Sequence, residues 1–303
     1  MFFVSSIDKF TGVHEIKYID INKMKNIVNG LSIVATPIGN LEDISNRAKK
    51  TLEECDVIIC ENPKHSLKLL NKLGIKKKLI GLHDYNESII IDKIKVQLEN
   101  KNCVLISDAG SPLISDPGYN LVQHCIKNNI RITSIPGPSS IISSLQLSGL
   151  PISEFVFLGF TPKSKKKLED LIKSIVKEKR TSVFFVSNHK LIIFLEFLEK
   201  IIPDRSISIC KELTKINEYV FRGMPISVKK EILEKKESLK GEFVAIVGGY
   251  TQKYKDFDDI DLYKKEIEKL VTKFSLTDIV EIVHKFTKIN KNKIYKWLLE
   301  SKK

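Results

Sequence analysis

Residues 103–118 read CVLISDAGSPLISDPG. The apolar run Cys103-Val104-Leu105-Ile106 has the composition of a buried strand. The twelve residues that follow hold two Asp, two Pro, two Gly and three Ser. Connections from a strand to a helix usually run about 2–6 residues, so a stiff, acidic, glycine-punctuated loop here needs a reason. Working outward, short apolar runs recur at Leu31–Thr36, Val57–Glu61, Lys78–His83 and Ile130–Ile135. Between them lie helical spacings such as Ala48-Thr51-Leu52-Cys55 and Ile90-Ile94-Leu98. This alternation predicts βαβ units and a mostly parallel sheet. In such sheets ligands bind beyond the carboxyl ends of the strands. TPIGNLEDIS, ENPKHS and PGPSS follow three of the other strands and belong to the same edge.

The break at SGLPISEF (148–155) leads into further strand candidates at Phe155–Phe160, Ser182–Val186, Ser206–Cys210, Tyr219–Arg222 and Glu242–Val247. The chain is therefore read as a leader over 1–29, an α/β domain over 30–150, a second α/β domain over 151–250 and a Lys-rich helical region over 251–303. In that last region Ser275 or Thr277 would cap one helix and Asn290 or Asn292 the next. The leader is expected to be disordered or peripheral, and Met24 offers an internal start.

The 303 residues carry 42% hydrophobic and 29% charged residues, a globular composition. No apolar run approaches the ~18–20 residues of a membrane span, and no signal peptide is recognisable. Cys55, Cys60, Cys103, Cys125 and Cys210 form no CxxC pair, which argues against a zinc site or a disulfide framework and for a cytoplasmic setting. The formal charge of +13 invites a polyanion partner. Nearly all of it is Lys, however, and a Lys-, Ile- and Asn-rich chain also reflects an AT-rich genome. GxxxxGK[ST] is absent and no GxGxxG opens a helix, so ATP and NAD lack their fingerprints.

The segments LSIVATPIGNLEDIS, SDAGSPLISDPGYNLV, SIPGPSSIISSLQLSGLP, FVFLGFTPKSK, KELTKINEYVFRG and KGEFVAIVGG resemble, in order, those of the RsmI family. These are the bacterial 16S rRNA 2′-O-ribose (cytidine) methyltransferases of the tetrapyrrole methylase superfamily. The resemblance runs from about residue 30 to the C-terminus. It implies a two-lobed class III α/β methyltransferase with S-adenosylmethionine in the interdomain cleft, usually a homodimer, acting on a cytidine in the decoding region of the small ribosomal subunit. It places Pro37, Asp108, Gly110, Ser111, Pro112, Ile114, Ser139 and Ser140 at the cofactor. Asp108 and Asp116 each have two readings, as contacts to ligand or substrate hydroxyls or as braces of the loop through Asx-type hydrogen bonds.

The chain departs from the family pattern twice. Relatives commonly carry Glu-Asp-Thr-Arg-His where this chain has Glu61-Asn62-Pro63-Lys64-His65, and Phe-Tyr-Glu-Ser where it has Phe184-Phe185-Val186-Ser187. Glu61 and His83 are the candidates for a general base, with a capped strand end as the alternative for His83. Lys64, Lys163, Lys165, Lys166 and Lys167 are candidates for phosphate contacts to RNA, or else form a solvated helix start. No metal is expected, because methyl transfer from a sulfonium releases a neutral leaving group. A small-molecule methyltransferase of the tetrapyrrole type and a non-catalytic ribosome-binding protein are the competing readings.

Overall fold

The structure is a computed structural model that describes residues 29–235, 239–251, 260–271, 273–287 and 289–300. The expectation for a peripheral leader therefore falls outside the described residues.

Strands β1 (Gly30–Val34), β2 (Val57–Cys60), β3 (Lys78–Gly81), β4 (Asn102–Ile106) and β5 (Ile132–Ile135) form a sheet of order β3-β2-β4-β1-β5 with every pairing parallel. The near-continuous apolar character of β2 and β4 follows from burial on both faces. Ile58 and Val104 pack to one side with Leu52 and Leu70. Ile59 and Leu105 pack to the other with Ile94 and Leu121. The flanking helices are α1 (Asn46–Glu54), α2 (Pro63–Lys72), α3 (Glu87–Asn100) and α4 (Tyr119–Lys127). Ser45 caps α1, accepting from the Ala48 amide at 3.0 Å.

The N-cap of α4 is Gly118 at φ +123°, which offers no side chain. Glu87 supplies the missing acceptor from the first turn of α3. Its Oε1 accepts from the Leu121 amide at 2.9 Å and its Oε2 from Asn120 Nδ2 at 3.1 Å. One buried carboxylate thus serves the positive ends of two helices. Charge-assisted hydrogen bonds of this kind contribute about 1.5–3 kcal/mol. Glu87→Ala is expected to lower unfolding stability by about 2 kcal/mol in a denaturant titration.

The second sheet has order β6-β7-β10-β8-β9, from β6 (Phe155–Phe160), β7 (Thr181–Val186), β8 (Ile207–Lys211), β9 (Tyr219–Gly223) and β10 (Phe243–Val247). Only β6 and β7 pair parallel; the other pairings are antiparallel. One face packs Phe184, Ile209 and Phe221 against α6 (Lys165–Ser174), α7 (Asn188–Ile201) and α8 (Pro225–Glu234). The other face receives α5 (Ser140–Ser148), whose Ile141 and Leu145 pack on Val183, Val244 and Ile246. Arg222 Nε donates to the Leu147 carbonyl at 3.0 Å from the same side. The helix that leaves the first sheet is therefore seated on the second.

Helices α9 (Lys264–Val271), α10 (Leu276–Thr287) and α11 (Lys291–Glu300) close around Ile267, Ile279, Val283, Ile294 and Leu298. Ser275 and Asn290 do the capping. The Asp278 amide donates to Ser275 Oγ at 3.3 Å and the Asn292 amide to Asn290 Oδ1 at 2.9 Å. All five cysteines are buried free thiols. Burial pushes Cys103 up to about 12 and Cys55 up to about 11, so both remain protonated and unreactive.

Candidate active site

β4 and β1 are neighbours whose outgoing connections leave toward opposite edges of the sheet, which opens a crevice at their carboxyl ends. The loops after them are joined. The Thr36 amide donates to the Gly110 carbonyl at 2.8 Å and the Gly110 amide to the Thr36 carbonyl at 3.0 Å. Ser111 Oγ donates to the Pro138 carbonyl at 3.4 Å, bringing in the loop after β5. Gly110 sits at φ +78°, where an L side chain is strained, and a Cβ there would stand 3.3 Å from Ile38 Cγ2. Leu113 (φ 73°) and Ser115 (φ 68°) adopt the left-handed region without being glycine. Each costs on the order of 1–3 kcal/mol, which the surrounding structure must offset.

The second sheet reaches the same crevice through the segment after β8. Gly39 packs directly on Lys215, with Thr214 Oγ1 2.9 Å and the Leu213 carbonyl 3.0 Å from where its Cβ would be. Thr214 Oγ1 also accepts from the Asn40 amide at 3.1 Å. Lys215 Nζ then ties Glu212 and Glu242 together at 3.0 Å each. These contacts clasp the first β1 loop to the second sheet and enclose a cavity of about 470 Å³. That is within the ~300–1,000 Å³ of small-molecule and cofactor sites. Ile38, Asp108, Gly110, Ser111, Ile114 and Asp116 form one wall, and Ser139, Ser140 and Ile141 another. Phe160, Phe185, Val186, Leu213, Glu242 and Val244 face them from the second sheet.

Of the residues expected at the cofactor, Asp108, Gly110, Ser111, Ile114, Ser139 and Ser140 lie in these walls, whereas Pro37 and Pro112 do not. Pro112 is buried and Pro37 half-buried, each stiffening its loop from behind the lining. Glu61 and His83 also lie outside the lining. His83 leaves β3, the outermost strand, two strands from the crevice. Its amide donates to Asn86 Oδ1 at 2.8 Å, which is the capped strand end. Lys64, Lys163, Lys165, Lys166 and Lys167 are exposed. Lys163 follows the wall residue Phe160 through Thr161 and Pro162, so the basic run starts at the rim.

The two departures from the family pattern have different consequences. Asn62 caps α2, its Oδ1 accepting from the Lys64 amide at 3.1 Å and the His65 amide at 3.4 Å. Asn serves that role as well as Asp does. Phe185 and Val186 are both in the cavity wall and make that side apolar.

Glu61 leaves β2 beside Ser107, because Cys60 pairs with Ile106. Burial, with Asp108 and Asp84 nearby, raises the Glu61 carboxyl, and His65 opposes the rise. Asp116 is pushed up to about 6 by burial, then by Glu61 and Asp108, against a hydrogen bond from Ser107. The residues that sequence reasoning missed are those of the second sheet. Phe160, Phe185, Val186 and Val244 are ordinary strand residues with no local signal.

Two α/β sheets with a cavity between their loops form the two-lobed architecture of the tetrapyrrole methylase class. Residues 30–224 match the family described as Tetrapyrrole (Corrin/Porphyrin) Methylases. The crystal structure of diphthine synthase superposes with a TM-score of 0.54 at 17% identity, over 73% of this chain and 91% of that one. The chain is 44% identical to ribosomal RNA small subunit methyltransferase I of Thermotoga maritima, over 72% of this chain and 98% of the relative. It is 36% identical to the Haemophilus influenzae protein of the same name, over 90% and 98%. The chain belongs to the ribosomal RNA small subunit methyltransferase I family of tetrapyrrole methylases.

The cavity suits S-adenosylmethionine. Its apolar side would accept a purine face, and Asp108 would oppose a cationic sulfonium. Asp108 Oδ1 is buried without a protein partner, so it has an acceptor to offer. The first amides of α5 lack a side-chain cap and begin at the wall residues Ser139 and Ser140, where a ligand carboxylate would be favoured.

Proposed function

We propose that the chain transfers a methyl group from S-adenosylmethionine to the ribose 2′-oxygen of a cytidine in the decoding region of 16S rRNA, within the small ribosomal subunit. The observation that carries this reading is the cavity, walled by the SDAGSPLISDPG loop, the PGPSS helix start and the second sheet, in a chain of the ribosomal RNA small subunit methyltransferase I family. When bound, S-adenosylmethionine supplies an electrophilic methyl on a sulfonium. The chain's task is to hold the ribose oxygen in line with it, and such placement is worth up to roughly 7–11 kcal/mol in ideal cases. Lys64 and the 163–167 run hold RNA phosphates at the rim without reading bases. Among the described residues, the cation that clasps the walls, Lys215, is paired with Glu212 and Glu242, which leaves little to recognise a tetrapyrrole carboxylate rim.

Residues 30–150 and 151–250 act as the two lobes, and 251–303 as an appended helical region. The enzyme works as a homodimer in the cytoplasm, which light scattering checks for the assembly. No helix among the described residues is long and apolar enough to cross a membrane. Ribose-methylation mapping of 16S rRNA from a strain lacking the gene should show one cytidine unmethylated, restored on complementation. A full methylation pattern in that strain would sink the proposal.

A further inference from the structure

We propose that Asp116, in the cavity wall, is the general base of the methyl transfer and that Glu61, at the end of the strand adjoining β4, is a positioning residue behind it. This deepens the function proposed above and rests on it. Three carboxylates lie in the cavity walls among the described residues: Asp108, Asp116 and Glu242. Glu242 is engaged by Lys215 at 3.0 Å, so its basicity is already spent on a cation. Asp116 has no such partner, and the charged groups that act on it are Glu61, from the end of β2, and Asp108, from its own loop; both are negative. From the opposite wall the second lobe brings up Glu242, the neutral Ser187 and Asn188, and apolar side chains, with no cation among the described lining residues.

The backbone holds Asp116 still. Ser115 before it is in the left-handed region at φ 68° and Gly118 beyond Pro117 is at φ +123°, and Pro117 fixes its own φ. A strained, over-determined turn that presents one carboxylate into a cavity is the kind of place where function accounts for strain. The raised carboxyl, at about 6, is still ionised at neutral pH yet more basic than an ordinary Asp, which favours proton acceptance.

The step balances without a co-reactant. The ribose oxygen forms a bond to the methyl carbon as the carbon–sulfur bond breaks, and that electron pair stays on sulfur, which leaves neutral. The hydroxyl proton passes to the Asp116 carboxylate and is later released to water. Glu61, outside the lining, acts through Asp116 alone.

The test uses the full chain, S-adenosylmethionine and small subunits from a strain lacking the gene, with single-turnover rates measured from about pH 5 to 9. The wild-type rate should fall on the acid side with a midpoint near that of Asp116. Asp116→Asn should slow transfer roughly 10²–10⁴-fold and abolish the acid limb, while calorimetry shows S-adenosylmethionine bound within about threefold of wild type. Glu61→Gln removes a like charge and should move the acid limb to lower pH.

Stability gives a second readout. A carboxyl raised in the folded state stabilises it at low pH, and that contribution is lost as pH rises from the unfolded value to about 6. Asp116→Asn should therefore melt no lower than wild type at pH 7.5, whereas removing a mere loop brace would lower the melting temperature. An Asp116→Asn enzyme with a wild-type rate and an intact acid limb would overturn the proposal, as would loss of S-adenosylmethionine binding in that variant or an unmoved limb in Glu61→Gln. If the unsubstituted chain fails to bind S-adenosylmethionine, the proposed function itself falls, and this inference with it.

Discussion

Gly110→Val is expected to abolish S-adenosylmethionine binding, with at least a roughly 100-fold rise in Kd by calorimetry. Gly110 stands at φ +78°, and an L residue there costs about 1–2 kcal/mol before any contact is counted. A β-branched residue is worse placed, because two heavy atoms on Cβ crowd the backbone. The first of those atoms meets Ile38 Cγ2, since a bare Cβ is already 3.3 Å from it. Ile38 and Gly110 are both cavity wall, so any relief displaces the lining itself. Relief also strains the paired hydrogen bonds between Thr36 and Gly110, at 2.8 and 3.0 Å, which hold the β1 and β4 loops together. Gly110→Ala lacks the branches and should lose less affinity. Far-UV dichroism separates a lost site from a lost fold. Unchanged affinity in Gly110→Val would remove this loop from the cofactor site.

Changing Lys163, Lys165, Lys166 and Lys167 together to Ala is expected to weaken binding to small ribosomal subunits while leaving S-adenosylmethionine affinity in place. Lys165–Lys167 open α6 on its exposed side, and none of the four lies in the cavity walls. A cationic helix start is electrostatically unfavourable, since cations belong at the other end of a helix dipole. The run therefore costs the helix something, and a phosphate chain laid across it would offset that cost. Each phosphate neutralised contributes a log–log salt slope of about 0.7–0.9. At 0.1 M salt, even two engaged lysines among the four then correspond to a roughly 30-fold loss relative to wild type. The slope itself should flatten by at least about 1.4. A quadruple variant that binds subunits like wild type across a salt series would mark the run as a solvated helix start only.

The local features of this protein were legible in its sequence because they are written at short range. Apolar runs of strand length between helical spacings place β1, β2, β4 and β5 within a residue or two of where they lie, and Phe155–Phe160 matches β6 end for end. Glycine and proline in the 107–118 loop announce a backbone held close to something, and Gly110 is at the wall. Capping chemistry narrowed each choice at α10 and α11 to two residues, and hydrogen-bond geometry settled on Ser275 and Asn290.

The remainder depended on which strand lies beside which. His83 looked as good a base as Glu61 in sequence, but β3 is the sheet's outer strand while β2 adjoins β4, so only Glu61 comes within electrostatic reach of Asp116. Phe185 and Val186 look like any buried strand, and they line the cavity only because α5 carries the first lobe's crevice onto the face of the second sheet. Short-range patterns were enough for the strands, the loops at their ends and the family they spell. Tertiary structure decided which carboxylates share a low-dielectric pocket, because charge coupling and desolvation depend on distance in space, and sequence separation is silent about that.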